Sequence, residues 1–369
     1  MKNKAKAWAL ALMIIPVFFL SGVAAFIAYV DPYFHFHGPL EGVGYILEDE
    51  RYQNDGIARN FDYDAMIAGT SMTENFKTSS LDRIFGTRSV KVPFSGGSYY
   101  EVDNIVRVGI KHNKDLKIVV RGLDYGRIIE DKDHTDYDPD TYPTYLYDDK
   151  PLNDINYLLN KEALFMGIQD ILGFDAKGKI TTSFDDYANW TPYFATGRDA
   201  VNASYNRAAL EYVGEQYPIT EEQKETVIGN VTQNIVRTVE ENPDIEFYLF
   251  ITPYSIYYMD FFYVRGMMRA QLEAERMMIE MLVPYDNVHL FSFYTDYDLI
   301  TDIDSYRDIG HYNEQVSENI LEWMHEGKGL ITKDNWEEYC DEVYDHYMNF
   351  DYDGAYADLS GKEGVVLYK

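Results

Sequence analysis

Residues Ala65 to Asn75 read Ala-Met-Ile-Ala-Gly-Thr-Ser-Met-Thr-Glu-Asn, and they restrict the fold more than any other stretch. A short apolar run ends in Gly-Thr-Ser and passes directly into a polar, helix-compatible segment. A wholly apolar strand that hands over to a helix belongs in a parallel sheet covered on both faces. Such sheets keep their sites at the carboxyl edge, where Ser71 would emerge. Far downstream, Asp308-Ile309-Gly310-His311 sets a carboxylate and an imidazole three residues apart. A serine hydroxyl is a weak nucleophile near neutral pH. It needs a base, and the base needs an acid to orient it. The chain supplies all three.

Further apolar runs follow the same pattern. Strands are expected at 64–69, 89–94, 116–120, 246–252 and 288–293, with helices at 79–85, 100–111, 220–241 and 260–282 and a last helix beginning at Asn313. Five strands separated by helices argue for a three-layer α/β fold with a doubly wound parallel sheet, and analogy with similar folds suggests the order 2-1-3-4-5. The alternation pauses at 131–215, an insertion holding an acidic loop and the aromatic cluster Trp190-Thr191-Pro192-Tyr193-Phe194, placed to cap the site. Residues 331–369 form an acidic, tyrosine-rich extension, expected to be a short peripheral addition. The α/β domain thus spans 62–330.

The N-terminus points to the compartment. Lys2, Lys4 and Lys6 precede an uncharged run from Ala7 to Val30. Those 24 residues make a helix of about 36 Å, enough to span a bilayer and longer than the apolar part of a cleaved signal peptide. Lysines on the cytoplasmic side leave the rest outside, so residues 1–30 read as a single-pass anchor in the cell membrane with an extracytoplasmic domain. Residues 31–61 read as a juxtamembrane segment whose later part wraps onto the main domain, with a turn at Tyr52-Gln53-Asn54-Asp55-Gly56.

A net charge of -30 repels phosphate backbones, and no basic stripe offsets it, so nucleic acid is excluded as a partner. His35 and His37 alternate with aromatics but have no third ligand nearby. Asp131, Asp133, Asp136, Asp138 and Asp140 invite calcium, yet the glycine and closing glutamate of an EF-hand loop are missing. Neither group is taken as a metal site. The single cysteine, Cys340, reads as structural, and the 34 tyrosines read as core-edge packing. Methionines in the 260–282 helix read as core filler.

Gly-Thr-Ser at the first strand, Ser95-Gly96-Gly97-Ser98 after the second and Asp308-x-x-His311 before the final helix occur in a telling order. With that order the chain resembles the SGNH, or GDSL-like, hydrolase superfamily over residues 62–126 and 245–326. It resembles most the membrane-anchored extracytoplasmic branch, which includes teichoic-acid D-alanyl transfer and alginate O-acetylation proteins. The resemblance implies a flavodoxin-like SGNH fold, with Ser71 as nucleophile, His311 as base and Asp308 as its orienting acid. It implies an oxyanion hole from the amides of Ser71 and Gly96, with Gly97 as the alternate. The family's third block carries an asparagine donor, whereas this chain reads Arg121-Gly122-Leu123-Asp124. A carboxylate there repels an oxyanion unless it is paired, with Arg121 as the partner considered, or turned away. Asn75 is a weaker substitute donor. The expected activity is that of a serine esterase or O-acyltransferase on acyl esters of a cell-surface polysaccharide or teichoic-acid-like polymer, needing no cofactor. A membrane-bound O-acyltransferase is the partner implied. The alternative is a non-catalytic partner protein of the same fold that binds a glycan or such an acyltransferase.

Overall fold

The computed structural model of the chain describes residues 2–137, 142–174 and 183–361. Contact density separates two compact units, Met1–Asp62 with Tyr137–Tyr187, and Tyr63–Asp136 with Ala188–Lys369. The 131–215 insertion is therefore divided between them, and residues 40–61 cluster with its first part rather than with the sheet.

In the second unit six strands form one sheet in the order β2-β1-β3-β4-β5-β6. These are β1 (Ala65–Thr70), β2 (Ser89–Phe94), β3 (Ile118–Leu123), β4 (Glu246–Ile251), β5 (Val288–Ser292) and β6 (Leu330–Ile331). The first five pair in parallel, in the expected order, and β6 adds an antiparallel edge. Every residue of β1 and β2 is buried, as expected for strands covered on both faces. Because β2 and β3 flank β1 on opposite sides, the chain reverses its winding there. That opens a crevice at the carboxyl ends of the strands, and Ser71 follows β1 into it.

Most helices fall where the periodicity sets them. Tyr99–His112 starts from a capping box of Ser98 and Glu101. Glu314–Glu326 starts from Asn313, whose side chain accepts the Val316 N–H. Three of the expected elements in this unit differ in their bounds or continuity. The third strand extends to Leu123, because the buried Arg121 places both its terminal nitrogens on hydrogen-bond partners and the ladder to β4 runs through it. The 220–241 helix contains a π segment, Thr232–Val236. The 260–282 helix is two, Ile256–Val264 and Met268–Leu282, broken at Gly266. There φ is +69°, and a Cβ would lie 2.5 Å from the Glu215 carbonyl oxygen.

The C-terminal extension is not peripheral. Helices Trp336–Asn349 and Tyr352–Ser360 bury Tyr347, Tyr352 and Tyr356, and the Tyr347 hydroxyl donates to the Tyr294 carbonyl at 2.7 Å. Cys340 is buried here too, and burial pushes its thiol up to about 12, so it is a structural rather than a reactive thiol.

In the first unit the helix Lys2–Val30 is long and apolar enough to cross a membrane. Just beyond it the Asp31 carboxylate gathers the chain, accepting the amides of His35, Phe36 and His37 and the Tyr157 hydroxyl. His35 itself meets Asp154 at 3.3 Å. The segment read as a turn at 52–56 lies inside a helix, Glu50–Asn60, capped by Asp49. Its turn-like residues are needed there for packing. Gln53 Nε2 donates to the Pro32 and Ile46 carbonyls, and a Cβ on Gly56 would clash with the Tyr33 and Phe34 backbone.

Candidate active site

The serine turn is built by its neighbours. Gly69 has φ +156°, and a Cβ there would come within 2.5 Å of the Thr73 side chain, so only glycine lets the turn fold back on β1. Ser71 opens a single 3-10 turn, Ser71–Thr73, capped by Thr70, and Thr73 Oγ1 donates to the Thr70 carbonyl at 2.9 Å.

The loop carrying the acid and base is held from three sides. The Arg307 N–H donates to the His311 carbonyl at 2.8 Å, and a bridge pairs Tyr306 with Tyr312. Ser255 Oγ donates to the Ile309 carbonyl at 2.7 Å, tying the loop to the end of β4. The buried Tyr312 hydroxyl donates to the Met72 carbonyl at 2.7 Å, which locks the loop to the serine turn.

These constraints bring together the three residues expected from the sequence. Ser71 Oγ lies 2.8 Å from His311 Nε2. His311 Nδ1 lies 2.9 and 3.0 Å from the two Asp308 oxygens. An ionised carboxylate only accepts, so the imidazole proton sits on Nδ1 and Nε2 is free to accept from the serine. Burial pushes the Asp308 carboxyl up. The hydrogen bonds and charge of His311, with the Gly310 and His311 amides, outweigh it and hold the carboxyl at about 2. Burial works against protonated His311, but Asp308 outweighs it and the imidazole pKa lies above its ordinary 6.5.

The triad faces a cavity of about 380 Å³. Gly96 lines it, with φ +64°. Gly97 does not line it, and its N–H is spent on the Phe94 carbonyl at 2.8 Å, so of the two glycines only Gly96 stands at the site. Arg121 is not at the site edge. It points under the helix Tyr99–His112, meeting Asp103 at 3.2 Å and the Asn234 carbonyl of the π segment at 2.8 Å. Asp124 lines the cavity without an arginine partner: Oδ1 accepts from Tyr254 at 2.7 Å and Oδ2 has no partner. Burial raises its pKa, against the Thr70 and Tyr254 hydrogen bonds and the nearby Arg127 and His311. Asn75 is turned elsewhere, its Oδ1 accepting the Trp190 N–H.

Arg127, Glu130, Tyr254 and Tyr258 also line the cavity and were not singled out in the sequence. Arg127 pairs with Glu130 at 2.7 Å and donates to the Gly96 carbonyl at 3.1 Å. Their signal was position, since each follows the carboxyl end of β3 or β4. The Trp190 ring stands edge-on to His311 at 6.0 Å, and the Arg307 guanidinium lies over Phe194 at 3.5 Å. Of the aromatic cluster, Trp190 is the residue that packs against His311.

Asp133 pairs with Lys132, and Asp136 with Arg127 and His134, while Asp138 and Asp140 lie outside the described residues. Among the described residues no group of three His, Cys, Asp or Glu side chains is spaced to hold a metal. Comparison with protein-family models and with curated proteins gives no match to this chain.

Proposed function

We propose that the chain is a serine esterase or O-acyltransferase of the SGNH kind, anchored by its N-terminal helix and acting outside the cytoplasmic membrane. The observation that carries this reading is the Ser71–His311–Asp308 relay at 2.8 and 2.9 Å, opening onto a cavity. Ser71 Oγ attacks the ester carbonyl carbon while its proton passes to His311 Nε2. The tetrahedral oxyanion is met by amides at Ser71 and Gly96. Collapse breaks the bond to the alcohol, which leaves with the proton from Nε2, and the acyl group remains on Ser71. Water or a polyol hydroxyl then attacks, with His311 again as base. A surface of net charge -30 favours a neutral glycan over a polyanion as acceptor.

Asp124 favours a second reading, a non-catalytic partner protein that binds a glycan or a membrane-bound O-acyltransferase, because an ionised carboxylate in that wall would repel the oxyanion. Burial works the other way, raising the Asp124 pKa and so opposing that charge. The two readings part on turnover. Full-length protein in detergent should release nitrophenol from p-nitrophenyl acetate, and Ser71→Ala should not. Equal rates for both would favour the binding protein.

A further inference from the structure

The helix Lys161–Leu172, within the first unit, has two apolar faces. One is spent inside that unit: Ala163, Met166 and Gly167 are buried, and a Cβ on Gly167 would lie 3.3 Å from Phe26 and 3.5 Å from Val30. Ala163 and Met166 share a cluster with Ile27, Tyr33 and Tyr157, against which Val23 and Phe26 pack. The opposite face is bare. Phe165 and Leu172 are 64% and 59% exposed, and Ile168 and Ile171 lie between them, with Ile155 and Leu159 exposed just before the helix. An apolar helix face as broad as Phe165–Ile168–Leu172 is normally covered.

The height of this face along the N-terminal helix indicates what covers it. Trp8 and Tyr29 are both exposed on that helix, 21 residues apart, or about 32 Å of α-helix. That matches a hydrocarbon core of about 30 Å between two aromatic belts. Val23 to Val30, where the helix Lys161–Leu172 packs, is then roughly the last 10 Å of the outer leaflet. A bare face at that depth has acyl chains, not water, as its solvent. The only exposed charges of the helix, Lys161 and Glu162, sit together at its first turn, where headgroups would take them.

We propose that the helix Lys161–Leu172 is a second membrane element, its Phe165–Ile168–Leu172 face seated in the outer leaflet beside the anchor. This rests on the anchor spanning the membrane, which was proposed above. The test uses the full chain with Cys340→Ser in phosphatidylcholine–phosphatidylglycerol vesicles. Nitroxide labels are placed singly at Phe165→Cys, Ile168→Cys, Glu162→Cys and Phe18→Cys. Oxygen and a water-soluble nickel chelate then compete as relaxation agents. The expected result is an oxygen-to-nickel accessibility ratio several-fold higher at 165, 168 and 18 than at 162. Lipid exposure at 18 with nickel access at 165 and 168 would overturn the proposal and leave the anchor standing. Nickel access at 18 as well would remove both. Protection of 165 and 168 from both agents would overturn it in favour of a second copy or another membrane protein on that face.

Discussion

In the proposed mechanism the reactivity of Ser71 depends on the contact between His311 and Asp308. Asp308 fixes the His311 tautomer and leaves Nε2 2.8 Å from Oγ. Asp308→Asn can leave the geometry nearly unchanged while favouring the wrong tautomer, so kcat for ester hydrolysis should fall roughly 10⁴-fold. The proton linkage gives a second test. His311 acts as base only when neutral, and Asp308 raises its pKa above 6.5. Activity should therefore rise with pH through an apparent pKa above 6.5 in kcat/KM, and a limb at or below 6.5 would contradict the relay. Asp124 yields a third. Asp124→Asn replaces a group that can repel the oxyanion with an amide donor, so kcat should rise, by up to roughly 100-fold, the usual worth of one oxyanion donor. An unchanged kcat would show that the charge of Asp124 does not reach the reacting atoms.

Secondary-structure elements matter here through the tyrosines that join them. Tyr312 ties the acid–base loop to the serine turn, and Tyr306 and Tyr294 donate to the carbonyls of Pro253 and Thr252 beyond β4. Tyr312→Phe leaves a buried carbonyl without its donor, so urea unfolding should show a loss of about 1–3 kcal/mol. Between the helices Met268–Leu282 and Trp336–Asn349, the Tyr339 hydroxyl donates to buried Glu275 at 2.8 Å, and burial raises that carboxyl from 4.5 to about 7. The native state keeps this proton after the unfolded chain has lost it. This carboxyl therefore takes stability away as pH rises from about 4.5 to 7. Melting of Glu275→Gln should fall less than wild type over that window; an equal fall would refute the assignment. These ties were not legible in the sequence, because a tyrosine hydroxyl finds its partner only once distant strands are aligned. The strands themselves were legible, since short apolar runs such as Met66-Ile67-Ala68, closed by glycine and polar residues, suit a buried parallel strand. The helix Glu50–Asn60 was missed because Asn54 and Gly56 are turn formers, and their buried contacts with Tyr187 and with the Tyr33 and Phe34 backbone lie outside it.

The whole molecule sets the site by topology. Reversal of winding beside β1 opens the crevice, and the ends of β1, β2, β3 and β4 each contribute to its wall. That convergence explains why the meeting of Ser71, Asp308 and His311 at one edge was legible in their order along the chain, whereas Arg121 was misplaced. One residue of strand register decides which face a side chain takes, and Arg121 faces the helix layer. The C-terminal extension completes the same unit, so a chain ending at Gly329 would expose the surface now covered by Tyr347, Tyr352 and Tyr356. It should unfold or aggregate, and a soluble, cooperatively melting truncation would contradict this packing. Activation of Ser71 can be read with a fluorophosphonate probe on the full-length protein in detergent. Labelling of wild type that disappears in Ser71→Ala and drops sharply in His311→Ala is the predicted result. A folded wild-type protein that takes no label, or labelling that survives Ser71→Ala, would contradict it.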